Sequence, residues 1–354
     1  MTGTLLDGII AYTVETGRLR ANVLERVIDG ERSDHVGTIV FIHGNVSSSS
    51  FWQPTMLRMP DVYHCIAIDL RGFGDSETLD VDATRGLADF SDDVASVLSE
   101  LAIDSAHVVG WSMGGGVVQQ LMLDYPDLVT TATLQAPVSP YGFGATAGAD
   151  GRLTASDAAG CGAGGANRDF VARLAAGDTS ADEQTSPRTV YRTAYVTPGF
   201  ESEHEDLWVE SMLSTKTGEG NYPGNSVASE NWPGFAPGNL GVLNTMAPTV
   251  FNTSGIVDLE RKPPVLWIHG TNDAIVSDAS FFDLNYLGQL GVIPGWPGED
   301  VAPAQPMVTQ TRAVLEAYAT AGGAFREVTL ENCGHSPHLE HPDAFDEALL
   351  SHIR

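Results

Sequence analysis

The stretch Gly110-Trp111-Ser112-Met113-Gly114 constrains the fold more than any other part of the chain. The short apolar run before it, residues 105–109, predicts a buried strand. Residues 117–123 after it have the length and apolar spacing of a helix that ends at Tyr125-Pro126. A serine therefore lies at a tight strand-to-helix turn with a glycine two positions away on each side. At such a turn only small neighbours let the backbone close, and the serine hydroxyl stands clear of the sheet.

This arrangement predicts a nucleophile at Ser112 and an oxyanion donor at the backbone amide of Met113. The alternative is a glycine-rich loop that only begins a helix, but strand, turn and helix agree here. On these residues the chain resembles serine hydrolases of the α/β-hydrolase superfamily, of the esterase or lipase type with an inserted cap. The resemblance implies an α/β fold with a mostly parallel eight-stranded sheet flanked by helices, and a largely helical or irregular cap inserted after strand 6.

A second strand end supplies a further part of the site. Residues 38–42 are continuously apolar and run directly into His43-Gly44-Asn45. In the superfamily that the chain resembles, the residue after this glycine gives the second oxyanion amide, which by position is Asn45. Its side chain could also donate. The alternative is that Asn45 only shapes the turn, because asparagine tolerates left-handed backbone conformations.

The resemblance also implies an acid and a histidine. Residues 264–268 read as a strand that leads into Asp273, which matches the acid loop of the superfamily. Asp278 is the alternative, although it could simply cap the following helix. After a last strand at residues 325–330, a G-H-x-P-x-x-E-x-P run places His335 at the position of the catalytic histidine.

A metal site is the weaker reading of this histidine-rich tail. His335, His338 and His341 have three-residue spacing, but Pro337 and Pro342 interrupt any shared helix face and no zinc motif accompanies them. We therefore expect no metal and no other cofactor.

Other polar residues near these motifs are expected to be structural. Asp69 and Arg71 should tie the loop after their strand together as an ion pair and a set of hydrogen bonds. His269 should be a core histidine with a satisfied partner. Cys333, two residues before His335, should be a buried thiol, since it lacks the turn that exposes Ser112.

Serine, aspartate and histidine in this order suit a triad in which the histidine activates the serine. The preferred prediction is hydrolysis of a small carboxylic ester or lactone through an acyl-enzyme. One alternative is C–C bond hydrolysis of the meta-cleavage-product type, whose enzymes often carry the Ser-Met-Gly-Gly found from Ser112 onward. A non-catalytic ligand-binding protein on the same fold is the other.

The strand–helix alternation breaks between residues 138 and 260, where glycine clusters, a few helical stretches and scattered aromatics appear. An unstructured connection of this length is improbable in a compact domain, so the segment is interpreted as a cap. Residues 1–137 and 261–354 would form the core. The aromatic residues proposed for the substrate pocket are Trp52, Trp111, Trp232 and Phe235. A second, Pro/Gly-rich insertion at residues 288–305 could form a pocket rim or a contact between copies of the chain.

Composition excludes some partners and predicts a compartment. The chain has 46 acidic and 18 basic residues and a formal net charge of −28, which argues against nucleic acid and anionic membranes. The three cysteines show no paired spacing, and the first residues lack a signal-peptide pattern. These features predict a cytoplasmic protein with free thiols that acts on a small molecule, and they leave a homo-oligomer open.

Overall fold

A single sheet organises the chain. The computed structural model describes residues 4–28 and 35–354. The sheet strands are β1 Ile9–Glu15, β2 Arg20–Arg26, β3 Gly37–Ile42, β4 Tyr63–Ile68, β5 Ala106–Trp111, β6 Val129–Gln135, β7 Val265–Gly270 and β8 Phe325–Leu330. Their order is β1-β2-β4-β3-β5-β6-β7-β8. Only β2 is antiparallel to both of its neighbours, and the other adjacent pairs are parallel. The eight-stranded, mostly parallel sheet is therefore confirmed.

Helices connect and flank these strands. The α-helices of the described chain are α1 Gln53–Arg58, α2 Ala88–Glu100, α3 Met113–Asp124, α4 Arg168–Ala176, α5 Pro187–Val190, α6 Glu205–Leu213, α7 Leu284–Gln289, α8 Met307–Thr320, α9 Pro337–Glu340 and α10 Pro342–His352. Short 3₁₀ helices span Ser49–Trp52, Ala83–Arg85 and Pro126–Leu128. Helix α2 packs on α3, and α1 contacts α10. None of the described helices has both the length and the apolar character needed to cross a bilayer.

The order of the strands creates a crevice where the chain changes direction across the sheet. From β3 the chain moves outward to β4 and then returns to β5 on the other side of β3. In open parallel sheets, ligands bind outside the carboxyl ends of the strands at such a switch point. The loop His43–Asn45 follows β3 and Ser112 follows β5, so both lie at this point.

Residues 138–260 leave the sheet between β6 and β7. Besides α4–α6 they contain one π-helical turn, Tyr191–Tyr195, the 3₁₀ helices Ala163–Gly165, Val242–Met246 and Ser254–Asp258, and three two-stranded pairs: Thr146–Ala147 with Arg152–Leu153, Thr217–Gly218 with Tyr222–Pro223, and Ser226–Ala228 with Phe235–Pro237. Buried side chains of this segment, such as Trp208 and Met212, join the same hydrophobic cluster as the sheet. The segment therefore packs on the core.

Candidate active site

The turn after β5 holds Ser112 in a sparsely populated backbone conformation. Ser112 has φ 59° and ψ −120°, which is unusual for a residue with a side chain. Its amide donates to Gln135 O at 2.9 Å, and its carbonyl accepts from Gly115 N at 2.9 Å and Val138 N at 3.1 Å. Hydrogen bonds on both sides of the residue hold this conformation.

Steric crowding requires glycine at both glycine positions of the Gly-Trp-Ser-Met-Gly motif. A Cβ on Gly110 would overlap the carbonyl of Gly114. A Cβ on Gly114 would lie 2.5 Å from Ile42 O, closer than real contacts allow. The turn after β5 therefore packs directly against the end of β3.

The loop after β3 lies against the serine. A Cβ on Gly44 would be 2.9 Å from Ser112 Cβ. The carbonyl of Gly44 accepts from Ser47 Oγ at 2.8 Å and contacts His43 Nδ1 at 2.7 Å. His43 Nε2 accepts from Leu70 N at 3.0 Å, so Nδ1 carries the ring proton and donates to Gly44. Burial lowers the pKa of His43, outweighing the opposing effect of Asp69, which favours this neutral form.

The two amides expected to bind an oxyanion flank this contact. Met113 is the first residue of α3, and the first amides of a helix have no carbonyl acceptor within it. Asn45 is half-buried beside Gly44, and its side-chain oxygen is buried without a hydrogen-bond partner among the described residues.

Asp273 and His335 meet at the ends of β7 and β8. Asp273 Oδ2 lies 2.8 Å from His335 Nδ1, and the side chains are 1% and 2% exposed, respectively. Asp273 Oδ1 accepts from Ile275 N at 2.8 Å and Val276 N at 2.9 Å. The carboxylate is thus held by backbone amides on one oxygen and faces the imidazole with the other.

Asp278 is exposed and has different partners. Its Oδ1 accepts from Val308 N at 2.8 Å and Thr309 N at 3.0 Å, and its Oδ2 accepts from Thr309 Oγ1 at 2.6 Å. These amides belong to the first turn of α8, so Asp278 caps that helix.

Trp111 connects the serine turn to His335. Its indole Nε1 donates to His335 O at 2.7 Å, and the two ring centroids are 5.6 Å apart. Trp111 is fully buried, and its hydrogen bond ties the histidine loop to the end of β5, directly before Ser112.

Two residues to which the sequence analysis gave no role hold the loops around the site. Glu340 accepts from Gly334 N at 2.9 Å and from Thr197 N at 2.7 Å, joining the histidine loop to the segment inserted after β6. The Tyr195 hydroxyl, from the π-helical turn, lies 2.8 Å from Asn45 O and 3.1 Å from Val46 O. Glu340 lies in the motif around His335, but Tyr195 has no such signal.

The other proposed pocket aromatics lie in two different surroundings. Trp52 is fully buried, with its ring 4.4 Å from that of His338 and 5.1 Å from that of Phe41. Trp232 is half-buried and donates to Pro294 O at 3.0 Å, and Phe235 packs against Gly164. Their contribution to a substrate pocket stays a prediction.

A cavity of about 470 Å³ lies on the β2 side of these loops. Its lining includes Asn22, Ser48, Asp69 and Ser211, while Ser112 and His335 are not among the described residues that line it.

The other histidines near the motifs, His338 and His269, have hydrogen-bond partners, and Cys333 is buried. Gln135 Nε2 donates to His338 Nδ1 at 2.8 Å, and no group of three potential metal ligands occurs in the described chain. His269 Nε2 lies 2.8 Å from Glu327 Oε1. Burial raises the pKa of the Cys333 thiol.

The pairing expected for Asp69 and Arg71 takes a different form. Arg71 instead binds Asp93 through two hydrogen bonds of 2.6 and 2.7 Å. Asp69 accepts from Ser49 N and from Asn22 Nδ2, both at 2.8 Å. Asp69 also accepts from Asp75 N at 3.0 Å within its own loop, whereas Arg71 ties the loop to α2.

Comparison with known proteins identifies the family. The family model described as "Alpha/beta hydrolase family" matches residues 39–348. The chain is 41% identical over 107 residues to the dihydrolipoyllysine-residue acetyltransferase component of the acetoin cleaving system of Cupriavidus necator, covering 30% of this chain and 27% of the relative. It is 37% identical over 102 residues to a pimeloyl-[acyl-carrier protein] methyl ester esterase of Aliivibrio salmonicida, covering 29% and 35%. The chain thus spans about a third or less of these relatives' length.

Similarity to solved structures extends over almost the whole chain. The 2-hydroxy-6-oxo-6-phenylhexa-2,4-dienoate hydrolase of Rhodococcus superposes with a TM-score of 0.59 at 18% identity. The alignment covers 98% of this chain and 99% of that one. At this identity the likeness shows the fold alone.

Proposed function

The chain belongs to the alpha/beta hydrolase family, and from this premise we propose that it hydrolyses a carboxylic ester or lactone through an acyl-enzyme on Ser112. The observation that carries the proposal is the buried 2.8 Å contact between His335 Nδ1 and Asp273 Oδ2. It lies at the same edge of the sheet as the Ser112 turn. The methyl ester esterase among the relatives supports an ester as the substrate class.

His335 is proposed as the general base. A carboxylate only accepts hydrogen bonds, so the ring proton resides on Nδ1 and leaves Nε2 with its lone pair. Asp273 holds this tautomer and stabilises the imidazolium that forms when Nε2 takes a proton. Asp278 does not compete for this role, because its carboxylate is occupied by the start of α8.

The reaction has two halves. Ser112 Oγ bonds to the carbonyl carbon while its proton passes to His335 Nε2, and the bond to the alcohol oxygen then breaks as that oxygen takes the proton. The acyl group remains on Ser112. Water attacks it, gives a proton to the same nitrogen, and the acid leaves as that proton returns to Ser112 Oγ.

The amides of Met113 and Asn45 are proposed to stabilise the oxyanion in both halves. Each donor of this kind is typically worth roughly 2.7–4 kcal/mol in the transition state. The close contact between Gly44 and Ser112 supports this role, because it brings the loop that carries the Asn45 amide beside the nucleophile.

Residues 138–260 are proposed to act as a cap on a core formed by residues 1–137 and 261–354. The contacts of Tyr195 with the Asn45 carbonyl and of Thr197 with Glu340 support this, since they reach the loops on both sides of the site. In this proposal the cap shapes the substrate pocket, with Trp232 and Phe235 affecting its walls, and performs no chemistry.

C–C bond hydrolysis is the second candidate. The Ser-Met-Gly-Gly sequence starting at Ser112 favours it, because such hydrolases often carry this sequence at the nucleophile. The family and the fold alone do not choose between these reactions.

A substrate panel tests both candidates. Short- to long-chain nitrophenyl esters, an aliphatic lactone and a ring-cleavage dienoate are each incubated with the wild type and with Ser112→Ala. We expect turnover of an ester or lactone that Ser112→Ala abolishes. Loss of dienoate absorbance without ester turnover would assign C–C hydrolysis instead. Ester turnover that survives Ser112→Ala would refute the acyl-enzyme.

A further inference from the structure

We propose that Tyr195 is a positioning residue for the oxyanion loop: its hydroxyl, supplied by the inserted segment, holds the carbonyls of Asn45 and Val46 and so restricts the backbone that presents the Asn45 amide to the substrate. The inference rests on the proposed function, because it assigns Asn45 as an oxyanion donor. It adds a residue from outside the sheet core to the apparatus that stabilises the transition state.

The contact is specific and buried. The Tyr195 hydroxyl lies 2.8 Å from Asn45 O and 3.1 Å from Val46 O, and the residue is 6% exposed. Carbonyl oxygens only accept hydrogen bonds, so the hydroxyl is the donor. Burial raises the pKa of Tyr195, which keeps its proton in place at neutral pH.

Two consecutive peptide groups of the loop are held by different parts of the chain. The Gly44 carbonyl accepts from His43 and Ser47, both residues of the core. In a trans peptide the N–H points opposite to the C=O, so these bonds set the direction of the Asn45 amide. The next carbonyl, that of Asn45, is held by Tyr195. Rotation of the Asn45 backbone is therefore restricted at both of its ends.

The loop needs such a restraint because it is strained. Val46 has φ 47°, a region that β-branched residues adopt only as genuine outliers. Conformations of this kind cost on the order of 1–3 kcal/mol and persist only where surrounding contacts impose them. The hydroxyl of Tyr195 contacts the carbonyl of Val46 itself and so opposes relaxation of this residue.

Tyr195 is itself fixed relative to the site. Its ring centroid lies 5.7 Å from that of Trp111, next to the nucleophile, and 6.2 Å from that of Phe51. Two residues later, the Thr197 amide donates to Glu340 of the histidine loop. The hydroxyl therefore acts from a rigid support.

The test compares Tyr195→Phe with Tyr191→Phe. Tyr191 is fully buried on the same π-helical turn, and in the described chain its hydroxyl donates to neither loop carbonyl. Each protein is treated with an alkyl fluorophosphonate, which forms an Oγ–P bond with Ser112 as fluoride leaves and the serine proton passes to His335. The phosphoryl oxygen then occupies the oxyanion position. Labelling rate, ester kcat and KM, and melting temperature are measured.

We expect Tyr195→Phe to slow labelling and to lower kcat about tenfold, the effect of losing one ordinary hydrogen bond, with KM within about twofold. Tyr191→Phe should leave both rates unchanged. A wild-type labelling rate in Tyr195→Phe overturns the inference. Equal slowing in both variants, with lower melting temperatures, also overturns it, because the hydroxyls would then matter only for packing.

Failure of the proposed function has a separate signature. If fluorophosphonate labels Ser112 but no ester or lactone is turned over, the ester proposal fails, and the labelling rates alone still decide the role of Tyr195. If Ser112 of the wild type is not labelled at all, both proposals are overturned.

Discussion

Glycine serves different purposes at the turn after β5 and at two exposed positions of the segment inserted after β6. At the turn after β5, a Cβ on Gly110 or Gly114 would overlap backbone carbonyls, so space requires glycine there. In the inserted segment, Gly177 and Gly199 have φ of 68° and 93°, and a Cβ on either would meet nothing within 4 Å. At these two positions the positive φ favours glycine, whereas no neighbouring atom would exclude a side chain.

The two regions also reach the proposed site in different ways. The core brings the proposed reacting groups together at the ends of its strands, whereas the inserted segment contacts the surrounding loops through the amides of Val138 and Thr197 and the hydroxyl of Tyr195. Changes at the core site should therefore reduce turnover of every substrate. Changes in the inserted segment should alter turnover moderately or selectively.

The largest effect is expected from the nucleophile and its base. Ser112→Ala and His335→Ala should each lower kcat by about 10⁶, and the double variant should lose little more, because the triad acts as a unit. Rates on the preferred ester, with circular dichroism to establish folding, measure this. Additive losses in the double variant would contradict a shared mechanism.

The acid gives the next largest effect and has a matched control. Asp273→Asn keeps the shape but favours the wrong imidazole tautomer, and should cost about 10⁴ in kcat. Asp278→Asn should retain near-normal turnover with a small loss of thermal stability, because it weakens the cap of α8. The reverse pattern in kcat would move the acid to Asp278.

Gly44→Ala tests the close contact between the loop after β3 and the Ser112 turn after β5. Gly44→Ala places a Cβ 2.9 Å from Ser112 Cβ, so the oxyanion loop must shift. We expect kcat to fall about 10²-fold, comparable to loss of one oxyanion donor. The control is Gly17→Ala, where a Cβ meets nothing within 4 Å. Normal activity in both variants would separate this loop from catalysis.

The sequence predicts the sheet core and the positions of the loops at its strand ends well. Local patterns in the sequence show the strand ends, the glycine spacing around Ser112 and the chain order of the three polar residues. The parallel sheet then brings the carboxyl ends of the strands, and the residues that follow them, to one edge. The eight-stranded sheet is confirmed. Asp273 Oδ2 lies 2.8 Å from His335 Nδ1, and the catalytic roles of the two residues stay predictions.

The contacts across the two regions could not be predicted. Tyr195 reaches Asn45 over 150 positions, and its π-helical turn leaves no periodic signal in the sequence. Arg71 was expected to bind Asp69, two residues away, but the sheet and α2 bring Asp93 closer. Long-range partners of this kind depend on packing, which one sequence does not reveal.

Smaller and substrate-dependent effects are expected from the aromatic residues of the inserted segment. Trp232 donates to Pro294 O and so connects this segment to the insertion at residues 288–305. Trp232→Phe removes that donor, and Phe235→Leu reduces the volume beside Gly164. Each should change the ratio of kcat/KM between short- and long-chain esters by about tenfold, within the range for modest pocket changes. Equal losses on all esters with a lower melting temperature would assign both aromatics to packing alone.

The smallest effect concerns thermal stability, and it separates the two regions by pH. His352, in the core, donates from Nε2 to Ala132 O, and burial lowers its pKa from 6.5 to about 4. Burial also lowers the pKa values of His43, His107 and His338. Between about pH 6.5 and pH 4 the unfolded chain therefore binds more protons at these residues, and stability falls as the pH falls.

In the inserted segment, the Ser180 amide and then Arg173 lower the pKa of Asp178 from 3.8 to about 2. Its contribution is present above pH 3.8 and is lost only as the pH falls towards 2. We therefore expect acid to weaken the core before this ion pair. Measured from about pH 7 to pH 4, the melting temperature of His352→Gln should fall less than that of the wild type, by on the order of a few degrees. Asp178→Asn should parallel the wild type over this range. A flatter curve in Asp178→Asn, with no change in His352→Gln, would place the acid-sensitive contacts in the inserted segment instead.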